Sequence, residues 1–278
     1  MSFFEKLLEI FHARMQRPEP WGWFHLLFWG LSIGGAVLLC VLHKKDKPAR
    51  VRKVIFTVAI TVILLEIYKQ ITFSFADGAN FDYQWYVFPF QFCSTPMYVG
   101  LLAGIIKKGK VHDALCAYLA TYAMFAGLIT MAIPNDIYIN IIGINIQTSV
   151  CHGSMIMIAI YLFYTGYVKI EHKTILKAMS VFACTMGIAM ILNEIAYRSG
   201  LKETFNMFYI SPYCEPSLLV YKDVQAVVPF PFCTIIYFLA FSLAAYLVLL
   251  AAIGISKLCS VIRKKAASAE KESVVTTK

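Results

Sequence analysis

Apolar stretches of roughly 20 residues alternate along this chain with short polar segments, over 21–42, 54–73, 88–106, 111–133, 148–168, 175–197 and 232–256. At about 1.5 Å of rise per residue, each matches the ~30 Å hydrocarbon core of a bilayer. Backbone N–H and C=O groups find no water there, so each stretch must satisfy its own hydrogen bonds as a helix. The pattern predicts an all-α, polytopic membrane bundle of about seven transmembrane helices. A six-span alternative makes the fifth stretch re-entrant, because it begins with the polar run 147–152. Upstream, Phe4, Leu7, Leu8, Phe11 and Met15 recur on one helical face, and Ser2 with Glu5 reads as a capping box, so residues 1–20 predict an amphipathic interfacial helix. The membrane domain then occupies 21–256, with a long outer loop at 198–231 that carries Pro212, Pro216, Pro229 and Pro231 and is long enough to fold over the mouth as a lid.

Charge orients the bundle. Six of the 25 Lys and Arg lie in 43–53, three in 107–110, three in 169–177 and six from Lys257 onward, against seven on the opposite side. By the positive-inside rule the N-terminus lies outside the cytosol and the C-terminus inside, with 257–278 a basic, disordered cytoplasmic tail. Composition agrees: 59% of residues are apolar and only 15% charged, outside the range of soluble domains. The net charge of +9 sits in clusters that meet anionic headgroups, so membrane lipid is the implied partner and nucleic acid is not. Eight scattered cysteines without CxxC spacing exclude a disulfide scaffold, and no cofactor motif is present. Gly30 with Gly34 and Gly100 with Gly104 read as small-xxx-small pairs for close helix packing.

Polar side chains at membrane depth cost a few kcal/mol on insertion scales and need a partner, a cavity or a function. With this topology His25, Glu66, Lys69, Gln91, Cys93, His152, Asn193 and Glu194 all fall toward the outer side, while the cytoplasmic halves contain little beyond Ser, Thr, Cys and Ala. The asymmetry predicts an outward-facing polar cavity. Cys93 and His152 are the pair with covalent chemistry, since an imidazole can take the proton of a thiol that attacks an acyl carbon. The bland reading makes Cys93 a small apolar filler and His152 an interhelical hydrogen-bonding group. Glu66 and Lys69, at i and i+3, either neutralise each other or organise the cavity, with Glu66 orienting His152. Gln91 and Asn193 either donate to an oxyanion or satisfy neighbouring helices. A metal held by His25, His152, Cys93 and Glu66 has no HxxH or HExxH spacing behind it. Pro89 and Pro96 flank Gln91 and Cys93, so the third span should begin irregularly.

The run Phe88-Pro89-Phe90-Gln91-Phe92-Cys93 resembles the Leu-Pro-Leu-His-Leu-Cys start of the third span in the YwaF-like bacterial integral membrane family, and Cys151-His152-Gly153 resembles that family's later membrane histidine. Glu66 and the stretch Asn206-Met207-Phe208-Tyr209 before Pro212 share the likeness. That family is similar to the vertebrate transmembrane protein 164, regarded as an acyltransferase on ether phospholipids that requires a cysteine and a histidine. The resemblance implies Cys93 as nucleophile, His152 as its base, a phospholipid substrate and a bacterial plasma membrane. Gln91 stands where that pattern has His, and an amide cannot act as a base. The competing expectation is a transporter or binding protein for a small polar solute, which uses the same cavity without covalent chemistry; a structural membrane subunit is the third.

Overall fold

The computed structural model describes residues 3–42, 48–134, 137–201, 204–215 and 218–276, with only the backbone described at 219 and from 267 on. Ser2 of the capping box, Lys44, Lys45 and Lys47 of the first basic loop, Lys202 and Pro216 of the long loop, and Lys278 lie outside these residues. The described chain is helical: α1 (Phe3–Phe11), α2 (Trp23–Leu42), α3 (Pro48–Ser74), α4 (Thr95–Ile105), α5 (Lys110–Ala120), α6 (Tyr122–Ala132), α7 (Ile142–Tyr164), α8 (Lys173–Arg198), α9 (Leu219–Val227) and α10 (Phe232–Thr276). Taking α5 and α6 as one rod bent at Thr121, six helices among the described residues are long and apolar enough to cross a membrane.

The third predicted span is the one that falls short. Its helix, α4, has 11 residues, about 16 Å at 1.5 Å per residue, roughly half a bilayer core. Pro96 sits in its first turn, where a missing N–H costs nothing, so the proline starts the helix instead of interrupting one. Residues 88–94 ahead of it are irregular, as the two prolines predict. The fifth stretch, suspected of being re-entrant, is a continuous 23-residue helix in α7. At the C-terminus the helix does not stop with the apolar run: α10 continues to Thr276, through the tail expected to be disordered. The Ala, Lys and Glu residues that dominate 264–272 are strong helix formers, which accounts for the continuation.

α3 packs beside α4, α2 against α7, α5 against α8, and α6 between α7 and α10. Contacts sort the loops by end. Arg52 at the start of α3 donates to the carbonyl of Ile106 at the end of α4 (3.3 Å), and Tyr167 meets His112 on α5. The basic segments at 107–110 and 169–173 therefore share one end of the bundle. α1 docks at the other, with Phe4 against Phe75, Phe11 against Tyr68, and the Tyr68 hydroxyl donating to the Phe11 carbonyl at 2.8 Å.

Glycine contacts separate the two small-residue pairs. A Cβ on Gly100 would lie 3.2 Å from Ala59 Cβ and one on Gly104 2.8 Å from Phe56 Cα, so this pair does let α3 and α4 approach. Gly30 and Gly34 have nothing within 4 Å and are exposed, contrary to expectation, because α2 turns Phe28, Ser32 and Ala36 inward instead.

Candidate functional site

The polar face of α3 near its C-terminus organises one end of the bundle. Glu66 is buried, and its carboxylate receives Lys69 Nζ at 2.7 Å, Gln70 Nε2 at 2.7 Å and Gln147 Nε2 of α7 at 3.4 Å. Gln70 also donates to the Val87 carbonyl at 2.8 Å and accepts from the Tyr83 hydroxyl at 2.9 Å, and Phe73 meets Tyr86 edge-on. Positions 66, 69, 70 and 73 recur at helical spacing, and this face of α3 carries residues 83–87 of the descending segment.

The chain then runs irregularly to Cys93, just ahead of α4. The partly buried cysteine follows Phe92, whose ring packs on Phe125, Phe182, Phe208 and Phe241. Polar groups freed by the irregular backbone find partners locally. Ser94 and Thr95 N–H both donate to the Gln91 carbonyl, the Thr95 hydroxyl donates to the Phe92 carbonyl and meets the Tyr118 hydroxyl, and the Tyr98 hydroxyl donates to the Pro89 carbonyl.

Over this segment lies the loop after α8, held by two amides. Gln91 donates to the Asn206 carbonyl and accepts from Phe208 N–H, both at 2.8 Å. Asn193 donates to the Met207 carbonyl at 3.0 Å and accepts from Met207 N–H at 2.7 Å. Asn206 caps the turn by accepting from Ser211 N–H at 3.0 Å. Between these clamps Phe208 and Tyr209 adopt φ of 59° and 56°, a left-handed conformation that costs side-chain-bearing residues on the order of 1–3 kcal/mol each. Phe208 is fully buried against Phe182 and Phe92. The loop at 206–208 is thus held by both ends of the Gln91 and Asn193 amides, each of which spends one of its two N–H donors there. Glu194 lies at the surface, where it pairs with Arg198 at 2.7 Å and accepts from the Tyr213 hydroxyl at 2.6 Å. That carboxylate raises the Tyr213 phenol above its ordinary range, and burial does the same to Tyr209. Gln91, Asn206 and Tyr209 also line an open polar cleft of about 800 Å³ together with Tyr86, Tyr213 and Glu215.

The histidines divide. On α7, Gln147 and Cys151 lie four residues apart on the face toward Glu66. Cys151 is buried and lines a small apolar cavity with Ile55, Pro96 and Met97. His152, one residue on, is turned by about 100° from Cys151. Its Nδ1 lies 2.7 Å from the Thr148 carbonyl, which can only accept, so Nδ1 carries a proton, and in the neutral ring Nε2 keeps its lone pair. Among the described residues no hydrogen bond joins Cys93 to His152. His25 is fully buried away from Glu66, accepting from Trp21 N–H at 2.9 Å and donating to the Met131 carbonyl at 2.7 Å. It ties α2 to the end of α6 as a satisfied structural group, not a member of the polar cavity. A cysteine–histidine contact exists at the opposite end: Cys116 Sγ lies 3.4 Å from His112 Nε2, which also meets the Tyr167 hydroxyl at 2.7 Å. This buried cluster, at the end where little beyond Ser, Thr, Cys and Ala was expected, adds a histidine and a tyrosine hydroxyl to it. The i, i+4 spacing of His112 and Cys116 was its one signal in the sequence.

A model of the TMEM164 family matches residues 17–254. No curated protein and no solved structure matches the chain.

Proposed function

Because the chain belongs to the TMEM164 family and is a multi-pass helical membrane protein, we propose that it is an acyltransferase acting on phospholipid acyl chains, with Cys93 as nucleophile and His152 as base. The observation that supports the reading is the break in the third span, which leaves Cys93 on irregular chain, next to Phe92 packed on Phe208 and two residues after Gln91, which bonds the loop at 206–208. In the proposed reaction, a base removes the Cys93 proton and the thiolate attacks an ester carbonyl. Collapse of the tetrahedral intermediate releases the lysophospholipid, whose alkoxide takes the proton. The hydroxyl of an acceptor lysophospholipid then attacks the thioester and regenerates the thiol. His152 has the protonation form a base needs, with Nε2 unprotonated; a bridging water or a rotation of the imidazole must connect it to the thiol. The distribution of Lys and Arg supports an N-terminus outside and a C-terminus in the cytoplasm, hence an outer-leaflet substrate, in what the resemblance implies is a bacterial plasma membrane.

The test is an acyl-directed activity probe applied to the full chain in nanodiscs, with the label located by mass spectrometry. Label on Cys93, absent in Cys93→Ala and slowed about 100-fold or more in His152→Ala, is the expected result. A folded protein that never labels at Cys93 would instead be a solute-binding or transport protein, and uptake into proteoliposomes would then be measured.

A further inference from the structure

The open polar cleft of about 800 Å³ lies at the end of the bundle where α1 docks and is large enough for a small-molecule group. The acyl-transfer reading gives it no part. Three tyrosines, Tyr86, Tyr209 and Tyr213, line it together with Gln91, Asn206 and the carboxylate of Glu215. Among the described residues no Lys, Arg or His does so. Arg198, which approaches the Tyr213 wall through Glu194, is paired with that carboxylate at 2.7 Å. Such a lining offers an anion no counter-charge, whereas a cation meets aromatic rings, whose faces attract positive charge, and a carboxylate.

The walls are fixed by contacts of their own. The Tyr213 ring stacks on Tyr197 with centroids 3.6 Å apart, and its hydroxyl donates to Glu194 at 2.6 Å. Tyr86 packs edge-on against Phe73 of α3. Tyr209 stands in left-handed backbone at φ 56°, directly after Phe208, whose N–H is bonded to Gln91 at 2.8 Å. Rings already held in place spare a ligand the cost of ordering them. Single tyrosines at a membrane interface form a belt; here two come from one strained loop and join a third, and a carboxylate, on one cleft. We propose that this cleft binds an alkylammonium group, with Glu215 as counter-ion and Tyr86, Tyr209 and Tyr213 as its aromatic wall. The same chemistry is offered by the head group of a zwitterionic phospholipid and by a dissolved ammonium solute. The proposal does not depend on acyl transfer.

The experiment uses the full chain in nanodiscs of phosphatidylglycerol, whose head group has no ammonium. Hydrogen exchange is read on peptides covering 204–215 as tetramethylammonium replaces sodium at constant ionic strength. Exchange should slow by about threefold or more, because a bound ligand stabilises the loop that lines its site. The midpoint of that titration should rise about fivefold in Glu215→Gln and in Tyr86→Leu, and stay within about twofold of wild type in Tyr86→Phe, which keeps the ring. Both positions are exposed, so these variants should fold. Phosphatidylcholine nanodiscs identify the source. Slowing there, lost in Glu215→Gln and Tyr86→Leu, makes the lipid head group the ligand, and slowing by the dissolved cation alone makes it a solute; either result supports the site. Wild-type exchange that responds to neither tetramethylammonium nor phosphatidylcholine overturns the proposal. So does a response unchanged in both Glu215→Gln and Tyr86→Leu, which would put the cation elsewhere.

Discussion

Replacing Asn193 by alanine should release the loop at 206–208 without unfolding the bundle. Asn193 is 3% exposed and its amide closes a two-bond ring on the backbone of Met207, which is fully buried. The substitution leaves a buried N–H and a buried C=O without partners, at about 1–3 kcal/mol each. The adjacent left-handed residues Phe208 and Tyr209 add a conformational load that the clamp helps to hold. Taking the low end, about 2 kcal/mol, and 1.4 kcal/mol per tenfold, the population of the open loop rises roughly 30-fold. Gln91 still holds the neighbouring residues, so the opening is local. Hydrogen exchange read on peptides covering 205–210 should therefore accelerate by about that factor, while peptides from α7 stay within about twofold. Asn193→Asp keeps the acceptor for Met207 N–H but loses the donor and buries a charge, and should show the same acceleration. Exchange unchanged within about threefold in both variants would mean that the Gln91 bonds and the apolar packing of Phe208 suffice to hold the loop, and the argument for the Asn193 clamp would be wrong.

Gly127→Ala should destabilise the protein by about 1–3 kcal/mol, since a Cβ there meets the His152 carbonyl oxygen at 2.6 Å and neither helix backbone can yield cheaply; Gly30→Ala, with open space around it, should be neutral or slightly stabilising. Thermal unfolding in one detergent compares them directly, and equal losses would contradict the helix contacts described. His25→Ala should lower thermal stability, because the Met131 carbonyl and Trp21 N–H lose a buried partner, yet leave probe labelling of Cys93 within about twofold at equal folded fraction; loss of labelling would return His25 to the site.

Much of the architecture was legible in the chain because lipid is a demanding solvent. A span announces itself as about 20 consecutive apolar residues, whatever it packs against, and prolines act on their own backbone, so Pro89 and Pro96 marked where the third span would fail as a helix. The concentration of Glu66, Lys69, Gln91 and Cys93 at one end also follows from span position alone. What the sequence could not contain is the partner of each polar group, since that depends on the rotation and approach of separate helices. Gln91 and Asn193 look alike as donors until the loop at 206–208 takes both ends of their amides. His25 and His152 look alike as ligands until Trp21 and Met131 take both ring nitrogens of His25, whereas Thr148 takes only Nδ1 of His152. His112 looked silent until Tyr167, 55 positions away, closed on it. Hydropathy is a sum over neighbours in the chain, whereas a hydrogen bond across a bundle requires distant atoms to meet within about 3 Å, and only the packing of the helices decides which do.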